Sequence, residues 1–168
     1  MTRCFMVVLA ALACSESRPS APTVGKPAPA YQAVDLQGNA ASLAALKGKV
    51  VLLGSWATWC YPCREEIPYL QQLHEERSKD GLAVVGVSVD AEGQETQIRD
   101  FIDEFKMTYP IWRDPAERIQ TTFYAIGVPS SYLIDRKGIL RWKHLGIVRA
   151  TDTSFTNALE RALREEAP

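Results

Sequence analysis

A chain of 168 residues fills one domain of ordinary size, not two. Hydrophobic residues at 46% and charged residues at 23% exclude wholesale disorder, and a formal net charge of −1 argues against the broad basic footprint of a nucleic-acid-binding protein. The four cysteines are Cys4 and Cys14 near the start and Cys60 and Cys63 in the remainder, which excludes a disulfide-dense scaffold and a four-cysteine zinc site.

In chain order, Arg3 precedes an uncharged apolar run over residues 5–13. The run falls short of the about 20 residues that cross a bilayer. It suits the apolar region of a secretory signal, with Ala11-Leu12-Ala13 as the small-x-small cleavage pattern. Cleavage after Ala13 places Cys14 first, and residues 1–13 then resemble a bacterial lipoprotein signal. That resemblance implies lipid on Cys14 and a place in the cell envelope on the periplasmic side; plain secretion is the alternative. The segment departs from the pattern in having Ala11 where leucine is usual and Leu12 where a small residue is usual. Residues 14–29, rich in Ser, Pro and Ala, read as a tether spanning about 3 Å per residue, which leaves 30–168 as the folded domain.

Residues 31–36, the turn Gln37-Gly38-Asn39 and residues 40–42 predict an N-terminal β-hairpin. Ser42 is placed to cap a short helix over 43–47 that Gly48 stops. Residues 49–54 and 82–89 are continuous apolar runs, as expected of central strands covered on both faces. Between them Ile67, Leu70 and Leu73 recur at helical spacing from Tyr61 until Lys79-Asp80-Gly81. Residues 95–105 predict an amphipathic helix with Ile98, Phe101, Ile102 and Phe105 on one face. Asp114 and Pro115 supply a cap and a first helical residue for a helix through Tyr124. Strands at 130–135 and 139–145 flank the turn Arg136-Lys137-Gly138, and a helix over 152–165 closes the chain. The order predicts an α/β fold with a central mixed sheet flanked by helices.

Chemistry concentrates in Trp56-Ala57-Thr58-Trp59-Cys60-Tyr61-Pro62-Cys63, where a buried strand runs into a helix. A nucleophilic sulfur must be a thiolate near neutral pH, and a free cysteine has a pKa of about 8.5. Unpaired N–H groups and the positive dipole end at a helix start acidify Cys60, and Cys63 lies one turn on, within reach of its sulfur. Pro62 fits a first turn that does not need its N–H. Cys60 is thus placed to attack an external disulfide and Cys63 to release the mixed disulfide. A static disulfide is the plain alternative. A zinc pair lacks partners, since His74 and His144 are isolated, so no metal is expected.

These residues resemble the thioredoxin superfamily, and within it the exported thiol-disulfide oxidoreductases of the TlpA/ResA type, related to the AhpC/TSA redoxins. The resemblance spans about residues 24–147 and includes Val24-Gly25-Lys26-Pro27-Ala28-Pro29, the run from Leu46 to Cys60, Arg64-Glu65-Glu66-Ile67-Pro68 and Gly127-Val128-Pro129-Ser130-Ser131-Tyr132-Leu133-Ile134-Asp135. It implies a thioredoxin-like fold, a helix that continues through Pro68, and a cis-proline at Pro129 lying against Cys60. It further implies that the backbone of Val128 pairs with an extended substrate, that Trp59 flanks the site with Trp56, and that Tyr61-Pro62 tunes the redox potential. No cofactor beyond the Cys60–Cys63 pair is implied. The implied activity is reduction of protein disulfides in the envelope, general or for cytochrome c maturation, with electrons from a membrane thiol-disulfide partner. Oxidase or isomerase action is the alternative.

Many thioredoxins carry a buried aspartate where this chain has Gly54. The acceptor for the Cys63 proton is therefore left between Asp90, Glu92 and a water. A thiol peroxidase of the same fold places Thr or Ser three residues before its reactive cysteine, where this chain has Ala57 before Cys60 and Cys60 before Cys63. A copper carrier would need a histidine near Ser130, and none stands there.

Overall fold

The two uninterrupted apolar runs form adjacent parallel strands, β3 (Val50–Trp56) and β4 (Leu82–Ser88), paired from Val50 with Leu82 to Trp56 with Ser88. Every residue of β3 is buried, as its lack of polar alternation requires. The computed structural model describes residues 21–165; the signal, Cys14 and the start of the tether lie outside the described residues.

Around this centre a seven-stranded mixed sheet is ordered β2-β1-β5-β4-β3-β6-β7, with β1 at Gln32–Asp35, β2 at Ala40–Ser42, β5 at Ile111–Arg113, β6 at Ser130–Ile134 and β7 at Leu140–Leu145. β5 runs parallel to β4, while β6 is antiparallel to β3 and β7 to β6. The hairpin β1–β2 joins the sheet through β5, with Val34 opposite Arg113. Strand alternation then sorts the helices. Gly54, Ser131 and Trp142 face α1 (Tyr61–Arg77), α2 (Glu95–Phe105) and α4 (Thr153–Arg164), where Trp56 stacks on Phe101 at 4.9 Å and Trp142 meets Phe155 at 5.0 Å. Tyr132 faces the other side, with Phe123 of α3 (Arg118–Phe123) 4.3 Å from its ring.

Most predicted elements stand within a residue or two of their places. The helix after Ser42 is a single 3₁₀ turn, Leu43–Leu46, although Ser42 Oγ does accept from Ala45 N–H. β5 was not legible, because three residues are too few to show a period. The helix expected from Asp114 begins at Arg118 instead: Glu117 adopts φ +53°, and the Asp114 carboxylate accepts from Ile119 N–H at 2.7 Å and from Tyr31 O–H at 2.8 Å. Asp114 therefore ties the N-terminal hairpin to α3. Asp152, the residue before α4, caps it by accepting from Ser154 and Phe155 N–H.

Gly86 shows how tightly the centre is filled. A Cβ there would stand 2.9 Å from Ile111 Cδ1 and 2.9 Å from Trp56 Nε1. Gly86→Ala should cost about 1–3 kcal/mol, as overpacking does, read as a lower midpoint in urea at unchanged slope.

Candidate active site

β3 ends at Trp56, and within four residues the chain has turned into α1 with Cys60 as its N-cap. The turn is held from the next strand. Thr58 N–H donates to both Asp90 oxygens at 3.1 Å, Thr58 Oγ1 donates to Oδ1 at 2.6 Å, and Ser88 Oγ donates to Oδ2 at 2.8 Å. Asp90 is almost fully buried, and such a carboxylate persists only when its lone pairs are filled. Asp90 thus fixes the segment that presents Cys60.

Cys60 and Cys63 form a disulfide, S–S 2.01 Å. Both residues are buried, and Cys63 N–H points at Cys60 Sγ at 3.2 Å, the start-of-helix donor expected to stabilise a thiolate there. Pro62 sits in the first turn, and α1 runs on through Pro68 as the resemblance implied. Trp59 and Tyr61 are 66% and 74% exposed beside the disulfide, whereas Trp56 is core. Ser130 pairs with Ser55, so Pro129 falls level with the end of β3 from which the cysteine turn departs, and the Val128–Pro129 bond is cis.

A carboxylate that the sequence reading passed over lies beneath this turn. Glu66, one helical turn past Cys63, is 1% exposed, and its Oε1 accepts from Val148 N–H at 3.0 Å and Ser131 Oγ at 3.4 Å. Ser131 is the partner of Gly54 across the sheet, and a Cβ at Gly54 would lie 3.5 Å from Ser131 Oγ. Ser131 Oγ thus stands between Glu66 and the Gly54 position, bonded to the one and in contact distance of a Cβ at the other. Burial pushes its carboxyl up to about 7, against the smaller opposing pull of the two hydrogen bonds. The missed signal was a glutamate on the apolar face of α1, in register with Cys63, Ile67 and Leu70. Glu92, by contrast, is exposed and paired with Arg113, and Asp90 is occupied by the turn. None of the three carboxylates has a hydrogen bond to the cysteines among the described residues.

The chain matches the AhpC/TSA family over residues 24–143. It belongs to that family. It is 41% identical over 123 residues to the thioredoxin-like protein YneN of Bacillus subtilis, covering 73% of this chain and 71% of that one. It is 33% identical over 123 residues to the thiol-disulfide oxidoreductase ResA of Bacillus cereus, covering 73% and 70%. Among solved structures, the thioredoxin domain of a thiol-disulfide oxidoreductase from Bacteroides vulgatus superimposes with a TM-score of 0.71 at 28% identity, covering 84% of this chain and 99% of that one. A thiol:disulfide interchange protein of the thioredoxin family from Chlorobium tepidum gives 0.68 at 28% identity, covering 89% and 99%. The fold is thioredoxin-like, and the enzyme is a thiol-disulfide oxidoreductase with its cysteine pair at Cys60 and Cys63.

The raised Glu66 carboxyl has a consequence for stability. Between the ordinary value of 4.5 and about 7 the folded chain holds a proton that the unfolded chain releases. That contribution is complete below the lower value and is lost as pH rises through the upper one. Glu66→Gln keeps both donors satisfied and should match wild type near pH 4.5, yet be more stable at pH 8 by ~1–3 kcal/mol in denaturant titrations.

Proposed function

We propose that this oxidoreductase is exported and reduces disulfides in proteins of the cell envelope, with Cys60 attacking and Cys63 resolving. The observation that carries the assignment of roles is the position of Cys60 as N-cap, with Cys63 fully enclosed one turn inside the helix. In the reduced protein, Cys60 thiolate attacks one sulfur of the substrate disulfide and releases the other as a thiolate that takes a proton from water. Cys63, once deprotonated, attacks Cys60 Sγ and expels the second substrate sulfur. Two electrons pass to the substrate and the Cys60–Cys63 disulfide remains, to be reduced again by a membrane thiol-disulfide partner.

A polypeptide substrate fits the surroundings. Trp59, Tyr61, Ile126 and Leu145 are large, exposed and apolar at the cysteine end of the sheet, and Val128 offers its backbone just before Pro129. Tyr61-Pro62, between the cysteines, sets how well the Cys60 thiolate is held and therefore the potential. The membrane reading rests on the sequence, with Cys14 as the lipidated residue; among the described residues no helix is long and apolar enough to cross a membrane.

Glu66 is the group best placed to accept the Cys63 proton, since it is buried one turn below and titrates near neutrality. Asp90 positions the turn.

Protein beginning at Ser15 should reduce insulin with dithiothreitol. Cys60→Ser should abolish turnover and Cys63→Ser should accumulate a mixed disulfide through Cys60; an adduct through Cys63 would reverse the two roles. Release of the mixed disulfide, followed by stopped flow, should rise with pH around 7 in wild type. Glu66→Gln should slow it roughly 10²-fold and remove that rise, while Asp90→Asn should lower stability but keep the profile. Loss of the rise in Asp90→Asn alone would transfer the proton to Asp90.

A further inference from the structure

The formal charge of −1 conceals an uneven distribution. Arg136, in the turn between β6 and β7, donates to the carbonyls of Gly48 at 3.4 Å, Asp80 at 3.0 Å, Leu163 at 3.2 Å and Glu165 at 3.1 Å. One guanidinium thus gathers the segments that precede β3 and β4 and the end of α4 into a single end of the domain. The chain also enters there, since Leu140 N–H donates to Lys26 O at 2.9 Å and Pro27 bridges Ile139.

Around this hub stand Lys26, Lys47, Lys49, Lys79 and Lys137, all exposed, and none of them pairs with a carboxylate among the described residues. The acids at this end are largely taken by arginines. Arg77 holds Asp80 at 2.8 Å and Glu160 at 2.5 Å, and Arg141 holds Asp135 at 2.6 Å and Glu165 at 2.7 Å. Glu75 and Glu76, on the last turn of α1, accept from the side chains of Gln71 and Gln72. A glutamine donor leaves Glu75 and Glu76 charged, yet the named lysines and arginines at this end still outnumber its named carboxylates by two, so the face is positive on balance. Among three of them, Lys47, Lys49 and Lys137, opens a cleft of about 220 Å³ floored by Leu43, Leu46, Val51 and Ile134.

We propose that this lysine-ringed end is a docking face for anionic lipid headgroups at a membrane surface. Five ammonium groups on four separate segments form no fixed fork that would select one partner shape, whereas mobile headgroup phosphates adapt to such a ring. The apolar cleft within the ring suits the boundary between headgroups and acyl chains. β3, seven residues long, rises about 3.3 Å per residue from this face, so the Cys60–Cys63 disulfide lies more than about 20 Å away at the opposite end. Docking in this way turns the redox site toward the compartment and leaves it open to substrates. The proposal goes beyond the redox reading and needs no lipid on Cys14.

The test uses protein beginning at Ser15, which lacks Cys14, and co-sedimentation with vesicles of phosphatidylcholine alone or with one-third phosphatidylglycerol. A lysine near an anionic surface is worth roughly fivefold in binding. Wild type should sediment with the anionic vesicles at low salt, not with neutral ones, and should be released at 0.5 M salt. Replacing all five lysines by glutamine should abolish binding while insulin turnover stays intact, which also certifies the fold. The double variant Lys106→Gln/Arg149→Gln, with charges outside the ring, should bind as wild type does. Equal sedimentation with both vesicles, undiminished binding of the five-lysine variant, or retention on heparin without vesicle binding would each overturn the proposal.

Discussion

Everything at the redox end depends on one buried carboxylate. A strand enclosed on both faces has to stop, turn and begin a helix within four residues, so that a sulfur lies at the mouth of the helix dipole. Backbone bonds from Cys60 N–H to Ala57 O and from Val89 N–H to Trp56 O supply part of the hold. Asp90, leaving the end of β4, fills its lone pairs with Thr58 and Ser88 and so fastens the turn to the neighbouring strand. Because β3 and β4 pair in parallel over their whole length, the ends that carry Cys60 and Asp90 are brought together by register. The cost of burying the charge is met by four hydrogen bonds that also define where the nucleophile stands.

The second carboxylate follows a different logic. Asp90 is enclosed but richly hydrogen-bonded, whereas Glu66 has two donors for one oxygen in a setting dominated by desolvation. One environment suits a carboxylate that braces the turn; the other suits a group that exchanges a proton near neutral pH. The glycine at position 54, which suggested a missing proton acceptor, is the other half of this arrangement. Its side-chain position faces Leu70 and Ser131, and it is Ser131 that donates to Glu66.

The thioredoxin-like architecture was legible because its signals are local. Apolar runs marked β3 and β4, helical period marked α1 and α2, and turn residues marked both hairpins. Where the signals were short or indirect they failed: β5 spans three residues, and α3 starts late because Asp114 is drawn to Tyr31, a partner 83 positions away. The sequence also offered Asp90, Glu92 or a water as acceptor of the Cys63 proton. Sequence places both carboxylates beside the strand end, but only packing shows one spent on Thr58 and the other on Arg113.

By itself the sequence determined the nucleophile pair, its place at a strand-to-helix junction and the family to which the chain belongs, since each is a contiguous pattern of residue types. The tertiary structure alone decided which carboxylate lies beneath the cysteines and where the surface charge accumulates. Both are sums over residues far apart in the chain. Glu66 meets Ser131 and Val148 across 65 and 82 positions, and Arg136 gathers Gly48 and Asp80 across 88 and 56. A net charge near zero and a spacing of three carry no trace of such contacts, because electrostatics and desolvation depend on distance in space rather than along the chain.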